Sequence, residues 1–461
     1  MLDPRLHTAW LVNAAAGAAA ATVRAPMARP RTATVSRLVV TDLEVVTVTH
    51  DTAILTWTTR QRDRSGTLRP AAADTEVLLA PADGHAAATT RYFDARRTAH
   101  HYAEVSGLEP GRRYRFTARS DGMRAVAGRT WVTRRPGTPE LTGVFRTAPP
   151  PPGRLLRTIA LANDLHWGEE RSGLIVAGLP PGLRHDDGHY PQVMTDALLH
   201  DIRRPARAAD HLVVTGDLTD RGSAEQVAGI RARLDGWGAL GRDYLVCRGN
   251  HDVARGRKDH WGWAFHAHQR LVCHDLGGLR LIGLDTTRGR GAGGTLSAGQ
   301  LARLRALLAA APDQPTLIFG HHPATRYAAL SNPGGPGFVL DRASAHALQH
   351  CYRSSPGVFL HQAGHTHRNR MSRPDSGQVE FLEVAAVKEY PGGYALLRIY
   401  ERGYTVHFHR IAAAAALAWT DRTRRQYFGL QPDHALGTLA DRNHQVSRDF
   451  SGVTAAGRPT G

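Results

Sequence analysis

The sequence has few cysteines, almost no lysine and no long apolar run. Its three cysteines, Cys247, Cys273 and Cys351, cannot all pair within one chain and lack metal-finger spacing, which excludes a disulfide scaffold and a zinc finger. No stretch of about 18 apolar residues is free of polar interruption, so we expect no transmembrane helix. Hydrophobic residues make up 42% of the 461 residues, which excludes a disordered chain and allows two or three domains of roughly 100–200 residues each.

The positive charge is spread along the chain instead of being clustered. The formal net charge is +17, and Lys258 and Lys388 are the only lysines among the 58 basic residues. An arginine bias of this kind is typical of a GC-rich genome, whereas a nucleic-acid-binding surface normally groups its charges. The composition therefore indicates neither a nucleic-acid partner nor a membrane partner, although the field favours anionic substrates.

Residues 1–36 form an Ala-rich arm. The apolar segment Trp10–Val23 has the length of a signal-peptide core, but Asp3 beside Arg5 makes the preceding region ambiguous in charge, and Asn13 interrupts the segment. We expect a helical or poorly ordered arm, and a cytoplasmic location is favoured over export.

Residues 37–148 have the pattern of a β-sandwich. Ala53–Trp57 and Tyr114–Ala118 are short runs rich in strand-forming residues, and the second alternates apolar with polar side chains. Through Trp57 and the segment Leu108–Tyr114, this region resembles a fibronectin type III domain. In that family the tryptophan fills the core and the tyrosine forms a corner at a strand start. Another β-sandwich is the alternative, and in either case we expect a structural or docking role.

A Pro-rich linker, residues 149–155, separates the sandwich from a region of alternating strands and helices. This alternation over residues 156–411 predicts an α/β domain. Residues 412–461 are expected to form a helical tail that ends in disorder. The predicted strands are Thr158–Ala162, His211–Thr215, Tyr244–Cys247, Leu279–Leu284, Thr316–Phe319, Val379–Val384, Tyr394–Tyr400 and Tyr404–His409.

Five short polar motifs each follow a predicted strand. They are Asn163-Asp164-Leu165-His166, Gly216-Asp217-Leu218-Thr219-Asp220-Arg221-Gly222, Gly249-Asn250-His251-Asp252, Gly320-His321-His322-Pro323 and Gly364-His365-Thr366-His367. Ligands of α/β sheets bind outside the carboxyl ends of the strands, so the five motifs are expected to converge there. Each motif alone is an ordinary turn sequence; the ordered set indicates a site.

The donors in these motifs suit two transition-metal ions. They are carboxylate, amide and imidazole groups without a thiolate, which favours Mn, Fe, Co or Zn in a hydrolytic centre over a structural zinc. If one carboxylate bridges, seven side chains give each metal four protein ligands and leave positions for water and substrate. The seven are Asp164, His166, Asp217, Asn250, His321, His365 and His367.

On these motifs, the region Arg157–His409 resembles the calcineurin-like metallophosphoesterase superfamily. The resemblance implies a four-layer α/β fold, in which two mixed β-sheets are flanked by helices, and cleavage of phosphoesters by a metal-bound hydroxide. It also implies ligand roles for the seven donors. Asp164, His166 and His367 would bind the first metal, Asn250, His321 and His365 the second, and Asp217 both.

The same resemblance implies three catalytic residues. His251, beside the asparagine ligand, would donate a proton to the leaving oxygen. By likeness to the Ser/Thr phosphatases, Asp220 would orient His251 and Arg221 would reach the phosphate, for which a guanidinium is well suited. For Arg221 the alternative is a surface salt bridge, since arginines are abundant.

A sandwich ahead of such a domain is the order found in plant-type purple acid phosphatases, but the motifs differ. That family places a tyrosine ligand where this chain has Asp220 and a glycine where it has His166. The motifs Asp-x-His and Gly-His-Thr-His instead resemble the phosphodiesterase branch, including the cyclic-nucleotide and glycerophosphodiester enzymes.

The sequence therefore predicts a binuclear phosphohydrolase acting on a small phosphate ester, with diesters favoured. A phosphomonoesterase, a nuclease and a non-catalytic binding module remain as alternatives. The loops Gly168–Tyr190 and Thr286–Thr295, where specificity is expected to lie, carry no motif that names the substrate. The oligomeric state is left open.

Overall fold

Two compact units make up the chain in the computed structural model. The first reaches Pro150 and includes Arg424–Asp433; the second comprises Pro151–Thr423 and the residues from His434 onward. The structure describes residues 38–84, 86–128, 137–173, 182–185, 189–254, 256, 258–266, 270–289, 291–374, 378–426 and 431–456. The predicted N-terminal arm, residues 1–36, lies outside them.

The first unit is a sandwich of two antiparallel sheets. One sheet has the order β1-β2-β3, with β6 also paired to β2, and the other has the order β5-β4-β7-β8, with β9 paired to β7. A short helix, α1 (Pro139–Thr142), precedes β9. The strands are β1 (Val39–Val48), β2 (Ala53–Arg62), β3 (Leu68–Pro70), β4 (Ala73–Pro81), β5 (Thr89–Thr98), β6 (His100–Val105), β7 (Arg113–Ser120), β8 (Met123–Arg124) and β9 (Val144–Arg146).

Trp57 and Tyr114 occupy the positions that the sandwich pattern predicts for them. The Trp57 ring is buried between the sheets, stacks on His101 with 4.9 Å between ring centroids, and donates its Nε1–H to Ser120 Oγ at 2.9 Å. The Tyr114 hydroxyl accepts the backbone N–H of Glu109, five residues upstream, at 2.9 Å. The predicted β-sandwich is confirmed, while its likeness to fibronectin type III stays a prediction.

The second unit contains two mixed six-stranded sheets. The first has the order β12-β11-β10-β19-β20-β21, and the second β13-β14-β15-β16-β18-β17. Strands β10 to β12 run parallel, as do β14, β15, β16 and β18. Their bounds are β10 (Leu155–Ala162), β11 (His211–Thr215), β12 (Tyr244–Cys247), β13 (Leu271–Asp275), β14 (Arg280–Leu284), β15 (Thr316–Gly320), β16 (Val358–Ala363), β17 (Arg370–Ser372), β18 (Glu380–Glu383), β19 (Gly393–Tyr400), β20 (Gly403–Arg410) and β21 (Asn443–Ser447).

Helices cover the outer face of each sheet. Three helices pack on the first sheet through Met194, Ile230 and Trp419, and two pack on the second through Leu304 and Leu348. The helices are α2 (Tyr190–Asp201), α3 (Ala224–Trp237), α4 (His260–Ala264), α5 (Ala298–Ala310), α6 (Arg326–Ser331), α7 (Arg342–Arg353), α8 (Ala414–Thr423), α9 (Gln431–Leu436) and α10 (Leu439–Arg442).

The inner faces of the two sheets pack on each other. Phe359 of β16 contacts Tyr404 of β20, with 5.2 Å between ring centroids, and Thr215 at the end of β11 donates to Gln362 of β16. Helices, sheet, sheet and helices therefore form four layers, which confirms the predicted fold class. This packing brings the carboxyl ends of parallel strands from both sheets to one edge.

The tail differs from the prediction. Residues 412–461 include helices, but Asn443–Ser447 forms β21, which pairs antiparallel with β20 and closes the edge of the first sheet. The free backbone groups of an edge strand favour such pairing over a further helical turn.

Among the helices that the structure describes, none has the length and apolar character needed to cross a membrane.

Candidate metal centre

The seven predicted ligands all lie on loops that directly follow parallel strands. Two loops leave the second sheet, and three leave the first. Asp164 and His166 follow β10, Asp217 follows β11, Asn250 follows β12, His321 follows β15, and His365 and His367 follow β16. The topology thus brings donors that lie up to 203 residues apart in sequence to the carboxyl ends of the strands, where α/β sheets bind their ligands.

Five of these residues have a backbone conformation that side-chain-bearing residues rarely adopt. Their φ angles are positive, at 53° for Asp164, 48° for His166, 50° for Asp217, 65° for His365 and 49° for His367. The left-handed region costs an L-residue roughly 1–2 kcal/mol. Half of the ten non-glycine residues with positive φ in the described ranges are therefore predicted ligands, so strain is concentrated at this site.

The first group of donors is Asp164, His166 and His367, whose ligand atoms lie within 4.8 Å of one another. Asp164 Oδ1 is 3.1 Å from His367 Nε2 and 3.8 Å from His166 Nε2. The other carboxylate oxygen, Oδ2, accepts the backbone N–H of His365 at 3.0 Å and the Asn163 amide at 2.6 Å. One oxygen of Asp164 is thus held by the protein while the other faces the histidines.

The second group is Asp217, His321 and His365, again with ligand atoms within 4.8 Å of one another. Asp217 Oδ2 lies 3.2 Å from His321 Nε2, and Asn250 Oδ1 is also 3.2 Å from that nitrogen. His321 donates from Nδ1 to the Thr215 carbonyl at 3.0 Å, which directs Nε2 toward the two oxygens.

Asp217 connects the two groups. Its Oδ2 is 3.5 Å from His166 Nε2 in the first group and 3.2 Å from His321 Nε2 in the second. Its Oδ1 accepts the backbone N–H of His251 at 2.8 Å. A single carboxylate oxygen therefore faces both groups, which is the placement that a bridging ligand needs.

Unsatisfied buried nitrogens test whether metal ions fit here. Both ring nitrogens of His166 and Nε2 of His365 are buried and make no hydrogen bond within the described residues. Leaving a buried polar atom unsatisfied costs about 1–3 kcal/mol. Imidazole nitrogens that face carboxylates but make no hydrogen bond are suitable ligands for a transition-metal ion. The donor set contains no thiolate.

The carboxylates and the histidines of the site shift one another's pKa values. Burial opposes ionisation of Asp164, but the charge of His367 and its hydrogen bond hold the Asp164 pKa well below its ordinary range. Burial likewise disfavours charge on His321 and His367, yet Asp217 raises the pKa of His321 to about 9 and Asp164 raises that of His367 to about 10. Burial lowers the pKa of His365 to about 3, so this ring is neutral before a metal binds, whereas a metal ion bound by His321 and His367 has to displace their protons.

Two glycines are required by close approach of the ligands. A Cβ atom on Gly249 would lie 2.2 Å from Asp217 Oδ1, and one on Gly364 would lie 2.7 Å from Asp164 Oδ2. Any side chain at either position would displace the carboxylate beside it. The motif glycines therefore allow the loops to pack directly on the carboxylates.

The three predicted catalytic residues, His251, Asp220 and Arg221, lie beside the two groups of donors. Their contacts differ in part from the predicted ones. The side chain of His251 is 37% exposed, and its Nδ1 is 2.9 Å from the backbone carbonyl of Asp220, whereas the Asp220 carboxylate is 3.8 Å away. The Asp220 carboxylate instead accepts Arg221 Nε at 2.8 Å, and the Arg221 side chain is 62% exposed. The main chain of Asp220 therefore orients the ring.

A set of residues outside the five motifs, which the sequence did not predict, supports the first group. Glu389 accepts His367 Nδ1–H at 2.8 Å and the Ser172 hydroxyl at 2.7 Å. Glu169 lies 3.6 Å from His166 Nδ1, and both of its oxygens accept Lys388 Nζ at 2.8 Å. A carboxylate thus holds His367 through a hydrogen bond, and a second carboxylate lies near the His166 ring without bonding to it.

These contacts cross-link two loops, because Glu169 and Ser172 follow β10 whereas Lys388 and Glu389 follow β18. One signal in the sequence pointed to this set: Lys388 is one of two lysines in a chain that otherwise uses arginine. The ammonium group of lysine is compact and fits between the two oxygens of a carboxylate. The guanidinium group of arginine is planar and has a different shape.

Glu389→Gln is expected to weaken metal binding by the first group. The amide keeps the shape but loses the charge that makes the His367 ring a stronger ligand, and loss of such a partner typically costs 10–100-fold in metal affinity. Competition with a chelating dye should show one of two affinities reduced by about this factor. Glu380→Gln is the matched control, since Glu380 is buried and binds His444 at 2.7 Å. Unchanged affinities in Glu389→Gln would remove this residue from the positioning role.

Parts of this chain are similar in sequence to a known family and to curated proteins. Residues 157–369 match the family described as Calcineurin-like phosphoesterase. A probable glycerophosphodiester phosphodiesterase of Arcobacter nitrofigilis is 34% identical over 140 residues, which cover 29% of this chain and 49% of that protein. A glycerophosphodiester phosphodiesterase of Enterobacter lignolyticus is 32% identical over 127 residues, covering 25% of this chain and 42% of that protein. The chain thus spans less than half the length of these curated relatives.

Solved structures also align with this chain, at lower identity. A dimetal phosphatase from Danio rerio aligns with a TM-score of 0.43 at 17% identity, covering 55% of this chain and 96% of its own. A purple acid phosphatase from yellow lupin (Lupinus luteus) seeds aligns with a TM-score of 0.40 at 14% identity, covering 90% of this chain and 75% of its own.

Proposed function

Because the chain carries a calcineurin-like phosphoesterase domain over residues 157–369, we propose that it is a binuclear metal-dependent phosphohydrolase that favours phosphodiesters. The observation that carries this proposal is the pair of three-donor groups joined through one Asp217 oxygen, 3.5 Å from His166 and 3.2 Å from His321. A structural metal site needs only one closed set of four ligands. Two adjacent, incompletely closed sets suit hydrolysis.

In this proposal Asp164, His166 and His367 hold one ion, Asn250, His321 and His365 hold the other, and Asp217 contacts both. Two such ions, when bound, supply an activated water and neutralise the phosphoryl oxygens. The chemistry of the donors favours Mn, Fe, Zn or Co as the two metals.

His251 is the proposed proton donor to the leaving oxygen. Its side chain is 37% exposed, whereas His367 is 22% exposed and His321 is fully buried, so among these rings it is the one that substrate reaches most easily. Its Nδ1 is held by the Asp220 carbonyl at 2.9 Å, which leaves Nε2 for the substrate. Arg221 is proposed to contact the phosphate only if it leaves the Asp220 carboxylate.

The preference for diesters draws support from the motifs Asp-x-His and Gly-His-Thr-His, and from the relatives, which are named as glycerophosphodiester phosphodiesterases. A phosphomonoesterase is the alternative. In either case a small phosphate ester is the proposed substrate, since the arginines are spread along the sequence, whereas a nucleic-acid-binding surface normally groups its charges.

A panel of esters tests the proposed function. Metal-loaded protein should hydrolyse bis-p-nitrophenyl phosphate with a higher kcat/KM than p-nitrophenyl phosphate, and a chelator should abolish both activities. Cyclic AMP and single-stranded DNA extend the panel to a natural diester and to a nuclease substrate. Faster turnover of the monoester would favour the phosphatase alternative, and no hydrolysis of any ester by metal-loaded protein would contradict the proposed function.

A further inference from the structure

Arginines are grouped on the outer face of one sheet of the sandwich. The even-numbered residues of β7, from Tyr114 to Ser120, are buried between the two sheets, so the odd-numbered residues of this strand point away from the core. Residues directly opposite each other on paired strands share a face. β9 places an arginine opposite the start of β7, and β8 places one near its end. The group, called the basic face below, consists of Arg113, Arg115, Arg119, Arg124 and Arg146.

The basic face forms only when these strands pair. Its residues belong to three strands that loops and α1 separate in the sequence, which is why the arginines look spread along the chain. In the structure they lie in two adjacent rows, and the row on β7, from Arg113 to Arg119, is about 20 Å long. Arg119 is half-buried, and the other four residues are exposed.

The arginines of the basic face make no ion pair with any residue that the structure describes. Arg115 donates to the Ala86 carbonyl at 3.1 Å, and Arg146 donates to the Gly111 carbonyl at 2.8 Å. These acceptors are backbone oxygens without a full negative charge. The positive charge of the face is therefore not neutralised by the protein around it.

Arginines elsewhere in the same unit are paired with carboxylates. Arg69 binds Asp63 at 3.2 Å, and Arg96 binds Asp94 at 2.8 Å, although all four side chains are accessible to solvent. The unit thus has carboxylates for its exposed arginines at other places and lacks them at the basic face.

Two pairs of arginines face each other directly across the strands. Arg113 is the register partner of Arg146, and Arg119 is the register partner of Arg124. Like charges directly opposite each other on paired strands are destabilising. The stability of the sheet therefore does not favour this arrangement, whereas an anionic partner above the face would neutralise both pairs.

An exposed phenyl ring lies on the same side of the sheet. Phe93 of β5 is 60% exposed and is the register partner of Glu76 on β4, which in turn lies opposite Arg119. With Arg124 on β8, these residues form one row across four strands, about 14 Å wide. Glu76, the carboxylate in this row, accepts the Thr90 hydroxyl at 2.9 Å. The surface therefore extends in two dimensions, with arginines on one side and an apolar ring on the other.

From this geometry we propose that the basic face, together with Phe93, binds an anionic lipid surface. Guanidinium groups bind phosphate oxygens in bidentate pairs, and a membrane presents its lipid phosphates in two dimensions, as the sheet presents its arginines. The phenyl ring enters the boundary between headgroups and acyl chains, which removes it from water.

A single-stranded nucleic acid fits this surface less well. Proteins that bind single strands combine a basic groove with several aromatic rings on which successive bases stack. The basic face is the open surface of a sheet, and Phe93 is the one large aromatic side chain exposed among the residues of this sheet that the structure describes. The charge and the shape thus favour a lipid surface. This inference does not depend on the proposed function, because it concerns the other unit of the chain.

Flotation of the full chain with vesicles tests the proposal. The protein should bind vesicles of equal parts phosphatidylglycerol and phosphatidylcholine, bind phosphatidylcholine vesicles much more weakly, and lose affinity as salt is raised. An arginine close to an anionic membrane contributes about fivefold in affinity, so Arg119→Gln combined with Arg124→Gln should weaken binding by about 25-fold. This variant should be at least as stable to heat as the wild type, because it removes one pair of opposed charges. Phe93→Ala should weaken binding by about 3- to 10-fold, and Phe93→Trp should not.

Arg69→Gln combined with Arg96→Gln is the matched control. It removes the same charge from arginines of the same unit that already have carboxylate partners, so binding should change much less. Equal losses in the two double variants, or equal binding to both kinds of vesicle, would overturn the basic face as a membrane-binding surface. Absence of binding to the anionic vesicles would overturn it as well, and binding of single-stranded DNA in that case would assign the face to a soluble polyanion.

Discussion

Asp217→Asn is expected to abolish metal binding by both groups and hydrolysis with it. The amide keeps the shape of the side chain but removes the negative charge that faces His166 at 3.5 Å and His321 at 3.2 Å. Loss of a partner outside the ligand shell costs 10–100-fold in metal affinity, and loss of a shared ligand charge should cost more for each ion. Metal content after dialysis and kcat/KM on a phosphodiester measure the two effects.

Asp201→Asn is the control for this substitution. Asp201 is buried in the same unit but binds Tyr394 Oη at 2.6 Å and Arg204 at 3.0 Å, away from the ligands. This variant should keep both ions and lose only stability. If Asp217→Asn retained two tightly bound ions and wild-type turnover, the bridging role would be refuted.

His251→Ala is expected to separate proton donation from metal binding. Metal occupancy should be unchanged, because Asn250 and not His251 faces His321. General acid catalysis contributes typically 10²–10⁴-fold, and it matters only when the leaving group is a poor one. We therefore expect kcat to fall by about 10²–10⁴-fold on an alkyl phosphate ester and by less than about tenfold on a p-nitrophenyl ester.

Steady-state rates on both esters at matched metal occupancy decide this prediction. His211→Ala serves as the control, since its ring binds the Arg242 carbonyl at 3.0 Å and has no role in the proposed chemistry. Equal losses on the two esters would assign His251 to positioning or phosphate binding instead of proton donation.

The sequence allowed the centre to be predicted because each motif follows a parallel strand. The carboxyl ends of β10, β11 and β12 share one sheet edge and those of β15 and β16 another, so the order of elements alone determined which side chains meet. The composition of the motifs also pointed to the centre, since four of the five begin with a glycine directly before a donor. Packing of the two sheets on each other then brings the two edges together.

What could not be predicted depends on backbone conformation or on contacts without a repeated spacing. The positive φ of Asp217 leaves no pattern in the sequence. Glu389 lies 22 residues from the His367 ring that it supports, outside any motif. Phe338 resembles any apolar residue of a loop until its stacking on His365 is seen. Pairing of β21 with β20 likewise depends on a sheet edge that local periodicity does not reveal.

Metal titration of the metal-free chain distinguishes a two-metal centre from a centre with one active metal. Native mass spectrometry and hydrolysis of bis-p-nitrophenyl phosphate are measured in the same samples. Seven donors arranged in two joined groups predict saturation at two transition-metal ions per chain, with full hydrolysis reached only as the second ion binds. Saturation at one ion with full hydrolysis, or full hydrolysis in the metal-free chain, would contradict the two-metal account.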